Sequence, residues 1–441
     1  MKKEVFRNNF RYLVWSGGSW AVFDSLTVAF LTVFAIALGA SNTIIGVLSA
    51  LTYVATLVVE LPGAKLLDFF SKKNLVAFTG IIGRLGWVAM AFVPFIIENN
   101  QLLWVILIFV FIRFVELLGE PAWVALVADI VPEKMRGVVF GKRNMLIGVT
   151  GLFASIIGGV YLDLFPKDSY VGFSSLFVVG MIWAFLTWYC IMQIKEPVDC
   201  DHGHHNFSDA FSFSPVMWRF SVVCAVYYFA VMIASPFFTV YMLKNLNMNY
   251  TWFVVAGGIA TLARVFSQYL FGRVVDAVGD HRVALFCMLG TALVPFSYIF
   301  ITSSTWFLII PAQIFSGIVW AGVDLATFNL LLDYTDKNRR AAQSAAFNMI
   351  LSVSNIVGPV VGGRIADTTV IWTMSGIPLI FLIASLLRFC TSFLLMSLPE
   401  VRVKRHYSFG LVVRQILSFH PSKGFETRIS STSKHQKNFE K

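Results

Sequence analysis

Nine ionisable side chains stand inside long apolar stretches of this 441-residue chain: the acids Asp24, Glu60, Glu116, Glu120 and Asp324, and the bases Arg84, Arg113, Arg264 and Arg388. A charge at the centre of a membrane helix costs about 2.5 to 3.5 kcal/mol on insertion scales, so each of the nine is a candidate for function. The chemistry open to carboxylates and guanidinium groups in that medium is ion pairing and the binding and release of protons. Arg113, Glu116 and Glu120 follow one another at i, i+3 and i+7, which puts them on one face of a continuous helix. Five acids nearly balance four bases, so the count assigns no sign to a ligand. Outside these charges we find no nucleophile arrangement, no paired catalytic acids and no phosphate-binding P-loop, so neither an enzyme nor direct drive by ATP is expected. No cofactor is implied.

These residues are carried by helices that need lipid around them. Hydrophobic residues make up 57% of the chain and charged residues 13%, too little polar surface to cover a water-soluble fold of this length. Twelve apolar stretches of about 20 residues, each long enough to cross about 30 Å of hydrocarbon, run over 12–38, 43–66, 74–97, 102–127, 144–163, 172–194, 217–243, 251–272, 283–302, 306–332, 344–366 and 372–397. The first is too long for a signal-peptide core and is expected to stay attached as an anchor. Cys190, Cys200, Cys224, Cys287 and Cys390 are scattered and odd in number, so no disulfide framework is implied.

The formal net charge of +10 raises the question of a nucleic-acid partner. The bases, however, fall in alternate loops: Lys72 and Lys73, Lys134 and Arg136, Arg273 and Arg282, Lys337, Arg339 and Arg340. That asymmetry is the positive-inside pattern. It predicts a multi-pass protein of the cell membrane with both termini in the cytoplasm, partnered by the lipid bilayer and not by nucleic acid.

The chain also repeats itself. Asp129 to Arg136 aligns with Asp333 to Arg340 at a spacing of 204 residues, and at the same spacing Glu120 meets Asp324, Asn144 meets Asn348, Gly158 and Gly159 meet Gly362 and Gly363, and Asp163 meets Asp367. Matches in register on this scale mean duplication. The expected organisation is a six-helix bundle over 1–195, a linker over 196–216, a second six-helix bundle over 217–398 and a basic tail over 399–441. Parallel repeats of this kind place a substrate site between the halves, near the bilayer midplane. Cys200, His202, His204 and His205 in the linker are metal-ligand types, against which stands the simpler reading of a solvated linker. The tail, with Arg402, Lys404 and Arg405 followed by Phe409, Leu411, Val412, Ile416, Leu417 and Phe419, is expected to lie as a helix on the inner leaflet.

Polar stripes mark the cavity wall, because a polar face on a membrane helix must look into a bundle or an aqueous path. Trp20, Asp24 and Thr27 share a face of the first span. Gln313, Ser316, Trp320, Asp324 and Thr327 line the tenth, and Asn348, Ser352, Asn355 and Pro359 the eleventh. Tyr227 and Tyr228, before Pro236 in the seventh, are candidates for the wall or for packing.

Two loops carry a family resemblance. Ala64-Lys65-Leu66-Leu67-Asp68-Phe69-Phe70-Ser71-Lys72-Lys73 resembles the Gly-x-Leu-x-Asp-x-x-Gly-Arg-Lys signature of the major facilitator superfamily, with both glycines replaced. Gly272-Arg273-Val274-Val275-Asp276-Ala277-Val278-Gly279 is similar to a second copy that keeps both glycines and the aspartate. The resemblance covers the chain to about residue 400. It implies an all-α membrane protein of twelve transmembrane helices built as two six-helix pseudo-repeats. The implied activity is secondary active transport of a small-molecule substrate by alternating access, with protons as the coupling ion.

The family pattern places a cytoplasmic gate at Asp68, Lys72, Lys73, Asp129, Arg136, Gly272, Asp276, Gly279, Asp333 and Arg340, where a carboxylate docks on a helix N-terminus. Arg113-Phe114-Val115-Glu116 resembles its Arg-x-x-Gln-Gly proton-coupling signature in the fourth helix, with Leu117 in place of the glycine. Asp24 is the expected partner of Arg113, as a proton-binding site or as half of a static pair, and Glu116 joins them. The cavity is expected to take in Trp20, Thr27, Arg84, Glu120, Tyr227, Tyr228, Arg264, Trp320, Asp324, Asn348, Asn355 and Arg388. Gly358-Pro359-Val360-Val361-Gly362 resembles the antiporter Gly-Pro-x-x-Gly signature in the wrong helix, so efflux of amphiphiles stands as an alternative, beside a membrane sensor that binds without transporting.

Overall fold

With no water in hydrocarbon to bond free backbone groups, segments of this composition satisfy their N–H and C=O groups as helices. The computed structural model describes residues 3–131, 136–167, 169–196, 211–336, 339–368, 370–371 and 374–399. The first half comprises α1 (Lys3–Leu26), α2 (Val28–Ala37), α3 (Asn42–Leu66), α4 (Lys72–Ile96), α5 (Gln101–Leu117), α6 (Glu120–Ile130), α7 (Arg136–Leu162) and α8 (Val171–Met192). The second comprises α9 (Pro215–Met232), α10 (Phe237–Val240) with a π-helical turn (Tyr241–Asn245), α11 (Tyr250–Val278), α12 (Asp280–Tyr298), α13 (Ile309–Tyr334), α14 (Arg340–Thr368) and α15 (Ile377–Ser392). A two-residue antiparallel ladder, β1 (Val370–Ile371) with β2 (Met374–Ser375), links α14 to α15. The cysteine and histidine cluster of the linker and the basic tail lie outside the described residues.

Three of the expected spans are broken helices. The first divides at Thr27, whose hydroxyl donates to Phe23 O at 2.7 Å while its own N–H is shared between Phe23 O and Asp24 O; such back-bonding competes with the helical ladder and bends it. The fourth divides at Leu118 and Gly119, just before Pro121, which has no N–H to continue the ladder. Arg113 and Glu116 therefore lie on α5 and Glu120 on α6, and the single continuous face expected for them does not exist. The seventh divides at Pro236.

Eleven helical stretches among the described residues are long and apolar enough to cross a membrane. The span expected at 283–302 is α12, whose polar first turn of Asp280, His281 and Arg282 shortens its apolar run. It occupies the twelfth place nonetheless, packed on α13 and α15 as its counterpart α4 packs on α5 and α8. Other contacts repeat likewise, α1 with α7 and α8 being matched by α9 with α14 and α15.

The Gly272 segment, expected in a loop, is helical to Val278, and the turn into α12 is the single residue Gly279, at φ 96° and ψ 150°. That region is open essentially to glycine alone. Gly279→Ala is expected to cost about 1–3 kcal/mol, read as a lower thermal unfolding midpoint; an unchanged midpoint would mean the turn relaxes freely.

The halves meet along α3 with α14 and along α7 with α11. At the far end of the bundle, away from the end where α1 begins and α15 finishes, one apolar core draws on both halves: Phe30, Phe34 and Ile45 pack with Ile233, Phe237 and Val240. At the near end the cores are separate. Leu13, Leu126 and Val127, and Leu75, Ala77 and Ala122, belong to the first half, whereas Met217, Phe220, Val283 and Leu330 belong to the second.

Candidate functional site

The first half holds a cavity of about 470 Å³ lined by Trp20, Arg84, Arg113, Glu116, Glu120, Trp123 and Arg143, among others. Glu116 is its electrostatic centre. One carboxylate oxygen lies 3.5 Å from Arg84 Nε and the other accepts a hydrogen bond from Arg113 Nη1 at 3.3 Å. Arg84 is buried and lies over the Phe23 ring, 5.1 Å from its centroid. This answers the cost of three charges in hydrocarbon: one anion serves two cations, and an aromatic face takes part of the remaining field.

Asp24 is half-buried on α1, within electrostatic reach of Glu116, Arg113 and Arg84. Among the described residues it has no ion pair and no hydrogen bond from its side chain. The expected Asp24 to Arg113 pair is thus not the one formed, because Glu116, one turn along the same helix, is the nearer acceptor. Glu120, displaced onto α6, still reaches the cavity and interacts with Arg143. Arg143, 4.9 Å from the Trp123 ring centroid, and Trp123 itself were missed by the sequence reading. Arg143 stood one residue outside the span drawn from 144, although the helix begins at Arg136.

The second half presents a smaller group. Arg264 and Asp324 form an ion pair joining α11 to α13. Trp320, one turn before Asp324, lies 6.5 Å from Tyr228 on α9. On α14, Asn348 is exposed, while Asn355 is half-buried with a carbonyl oxygen that has no hydrogen-bond partner among the described residues.

Three residues expected in the cavity wall are packing residues instead. Thr27 is fully buried, its hydroxyl taken by Phe23 O. Tyr227 is fully buried and its hydroxyl is 2.7 Å from that of Thr291. Arg388 is buried between α9, α12 and α15, donating to Thr291 O and Val231 O at 3.1 Å each. The reason for Arg388 is Pro295: with no N–H, it leaves Thr291 O without its helical donor, and α15 supplies one from outside.

At the near end, Lys72 at the start of α4 and Asp129 near the end of α6 form a 2.6 Å ion pair. The Lys73 amide donates to Glu196 at 2.5 Å. Asp68 is exposed in the turn before α4 and has no ion pair among the described residues. The Arg136 side chain lies outside the described residues. In the second half Gly272 and Asp276 sit in the last turns of α11, with Asp276 exposed. Asp333 lies near the end of α13, and Arg340 opens α14, donating to Leu332 O at 3.1 Å. Asn329 also donates to Asp280 at 2.7 Å, tying α13 to the start of α12, a tether that the sequence reading did not single out.

Two repeated six-helix units that meet along α3 with α14 and α7 with α11, with a charged cavity in the first, define the fold of a multi-pass membrane transporter. The profile of the Major Facilitator Superfamily matches residues 15–358 and 220–419, and the chain belongs to that superfamily. A protein of Methanocaldococcus jannaschii described as an uncharacterised MFS-type transporter is 23% identical over 346 residues, spanning 76% of this chain and 86% of its own. Among solved structures, a bacterial homologue of the iron transporter ferroportin in an inward-facing state superimposes with a TM-score of 0.71 at 10% identity, covering 90% of this chain and 99% of its own. The nucleoside transporter NupG gives 0.68 at 12% identity, covering 90% and 99%. A bacterial homologue of the human lysosomal transporter Spinster gives 0.68 at 13%, covering 96% and 99%.

Proposed function

We propose that the protein moves a small solute across the cell membrane by alternating access, coupled to protons through Asp24, Glu116 and Arg113. The observation that carries this reading is the sharing of two arginines by one carboxylate beside a second carboxylate that has neither. With Arg84 and Arg113 engaged by Glu116, a charge on Asp24 has no counter-ion at contact, and a proton removes the cost of burying it. When the proton leaves, Arg113 is the cation positioned to turn toward Asp24. α5 is thereby drawn against α1, and a local charge change becomes a relative movement of helices.

The positive-inside distribution of bases supports cytoplasmic termini, so the near end of the bundle, where the two halves keep separate cores, is the cytoplasmic one. The structurally similar proteins are described as a nucleoside transporter and as homologues of an iron transporter and of a lysosomal transporter, so the fold selects no substrate. Trp20 and Trp123 beside the charges give specific support to a second reading, efflux of amphipathic cations or zwitterions, which a dye-efflux assay separates from uptake of a polar metabolite. A sensor would instead show saturable binding without flux.

Proteoliposomes with an imposed pH gradient test the coupling. Asp24→Asn is expected to abolish substrate-driven proton movement while substrate still binds and exchanges. Proton movement that survives the substitution would remove Asp24 from the mechanism and leave it a structural acid.

A further inference from the structure

The duplicated aspartates Asp163 and Asp367 have no part in the cavity. Each ends a helix at the far end of the bundle and reaches across to the other half. Asp163, in the turn after α7, accepts the Tyr250 and Thr251 amides at 2.8 and 2.9 Å and the Thr251 hydroxyl at 2.5 Å, at the N-terminus of α11. Asp367, at the end of α14, accepts the Asn42 and Thr43 amides at 3.2 and 2.8 Å at the N-terminus of α3. It also accepts the Asn42 side-chain amide at 2.9 Å and the Thr43 hydroxyl at 2.7 Å.

The first amides of a helix have no partner within it, and the dipole there favours a negative charge. In both helices the next amide is capped locally, that of Trp252 by Asn249 and that of Ile44 by Ser41. The remaining amides are left to the aspartate of the opposite half. One turn before each aspartate stands a glycine that permits the approach: a Cβ on Gly159 would lie 3.0 Å from Tyr250 O, and one on Gly363 would lie 2.6 Å from Asn42 O. Lys167 to Asn247 and Lys244 to Ala40 O add two more bonds across the same end.

We propose that Asp163 and Asp367 are paired latches, each a helix cap supplied in trans, that hold the far end closed and set the balance between the two access states. Opening that end separates α11 from α7 and α3 from α14, and every one of these amides then loses its acceptor to water. The charged cavity is not involved, so the latch rests on the alternation of access proposed above and not on proton coupling.

Hydrogen–deuterium exchange on the full-length protein in nanodiscs tests this with Asp163→Ala, Asp367→Ala and the double variant. Loss of one cap is on the order of a fivefold to tenfold effect, and two separated caps multiply to about 25- to 100-fold. The expected result is faster exchange at 42–45 and 250–253 together with slower exchange at the near end, in 139–143 and 342–346, as the population shifts toward the state closed there. The single variants, expected to shift in the same direction by the smaller factor, keep the test open should the double variant fail to fold. Faster exchange confined to the far end would show mere fraying of two helix starts and overturn the latch. A near-end response in a protein that carries no flux would keep the latch and defeat the transport reading instead.

Discussion

Glu116→Gln is expected to cost about 3–5 kcal/mol of stability and to abolish transport, the largest effect of any single substitution in the cavity. The carboxylate is the shared acceptor of Arg84 and Arg113. An amide of the same shape can still accept a hydrogen bond, but it leaves two cations facing each other with Asp24 as their one near acid. Removing the counter-ion of a buried pair strands the charge that remains, and here it strands two. The measurement is thermal unfolding of the purified protein, alone and with Arg84→Gln added. Because the second change removes one of the stranded cations, the double variant should be more stable than Glu116→Gln by itself. If the two losses simply add, Glu116 is not the electrostatic hub that the distances describe.

Arg388→Ala should be almost as damaging, by about 3–5 kcal/mol, for reasons that involve packing as much as charge. The side chain is among the largest fully buried ones, and truncation in a core of this density leaves a hole whose cost scales with its size. It also leaves Thr291 O, already deprived of a donor by Pro295, with nothing to replace the guanidinium; an unmet carbonyl adds about 1–3 kcal/mol. Neighbouring Ser385, one turn earlier on α15, donates to Ala292 O at 2.7 Å, so α15 makes a second side-chain contact to the α12 backbone beside the proline. The explanation makes a separable claim. In a Pro295→Ala background, where residue 295 regains its N–H, the penalty of Arg388→Ala should shrink by about 1 kcal/mol or more. An unchanged penalty would leave packing alone as the role of Arg388.

These cases show why embedded charges are easy to find in a sequence and hard to assign. All nine were visible because hydrocarbon penalises them wherever they occur. Arg388 and Arg84 nevertheless look alike along the chain, each a lone arginine in an apolar helix. One repairs a proline kink in another helix, and the other shares a carboxylate at the wall of a cavity. Arg143 shows the opposite failure, since it escaped notice when a hydropathy boundary fell one residue too late.

The duplication behaved differently. Asp163 and Asp367 appeared in the sequence only as matching letters at a spacing of 204 residues. Their identical use as trans caps emerged when two helix starts were seen to lie against them. Gly159 and Gly363, which the sequence showed only as glycines repeated at the same spacing, proved to be what allows that approach.

By itself the sequence determined that this is a twelve-helix membrane protein of two repeats, because lipid admits few ways to satisfy a backbone and because register survives duplication. It also determined which residues are costly enough to matter. Only the tertiary structure decided which carboxylate holds the arginines, where the helices break, which polar side chains face the cavity and which end of the bundle is shut. Those outcomes depend on distances of a few ångströms between helices far apart in the chain. Hydropathy and periodicity record what each helix must hide, but not which neighbour it hides it against.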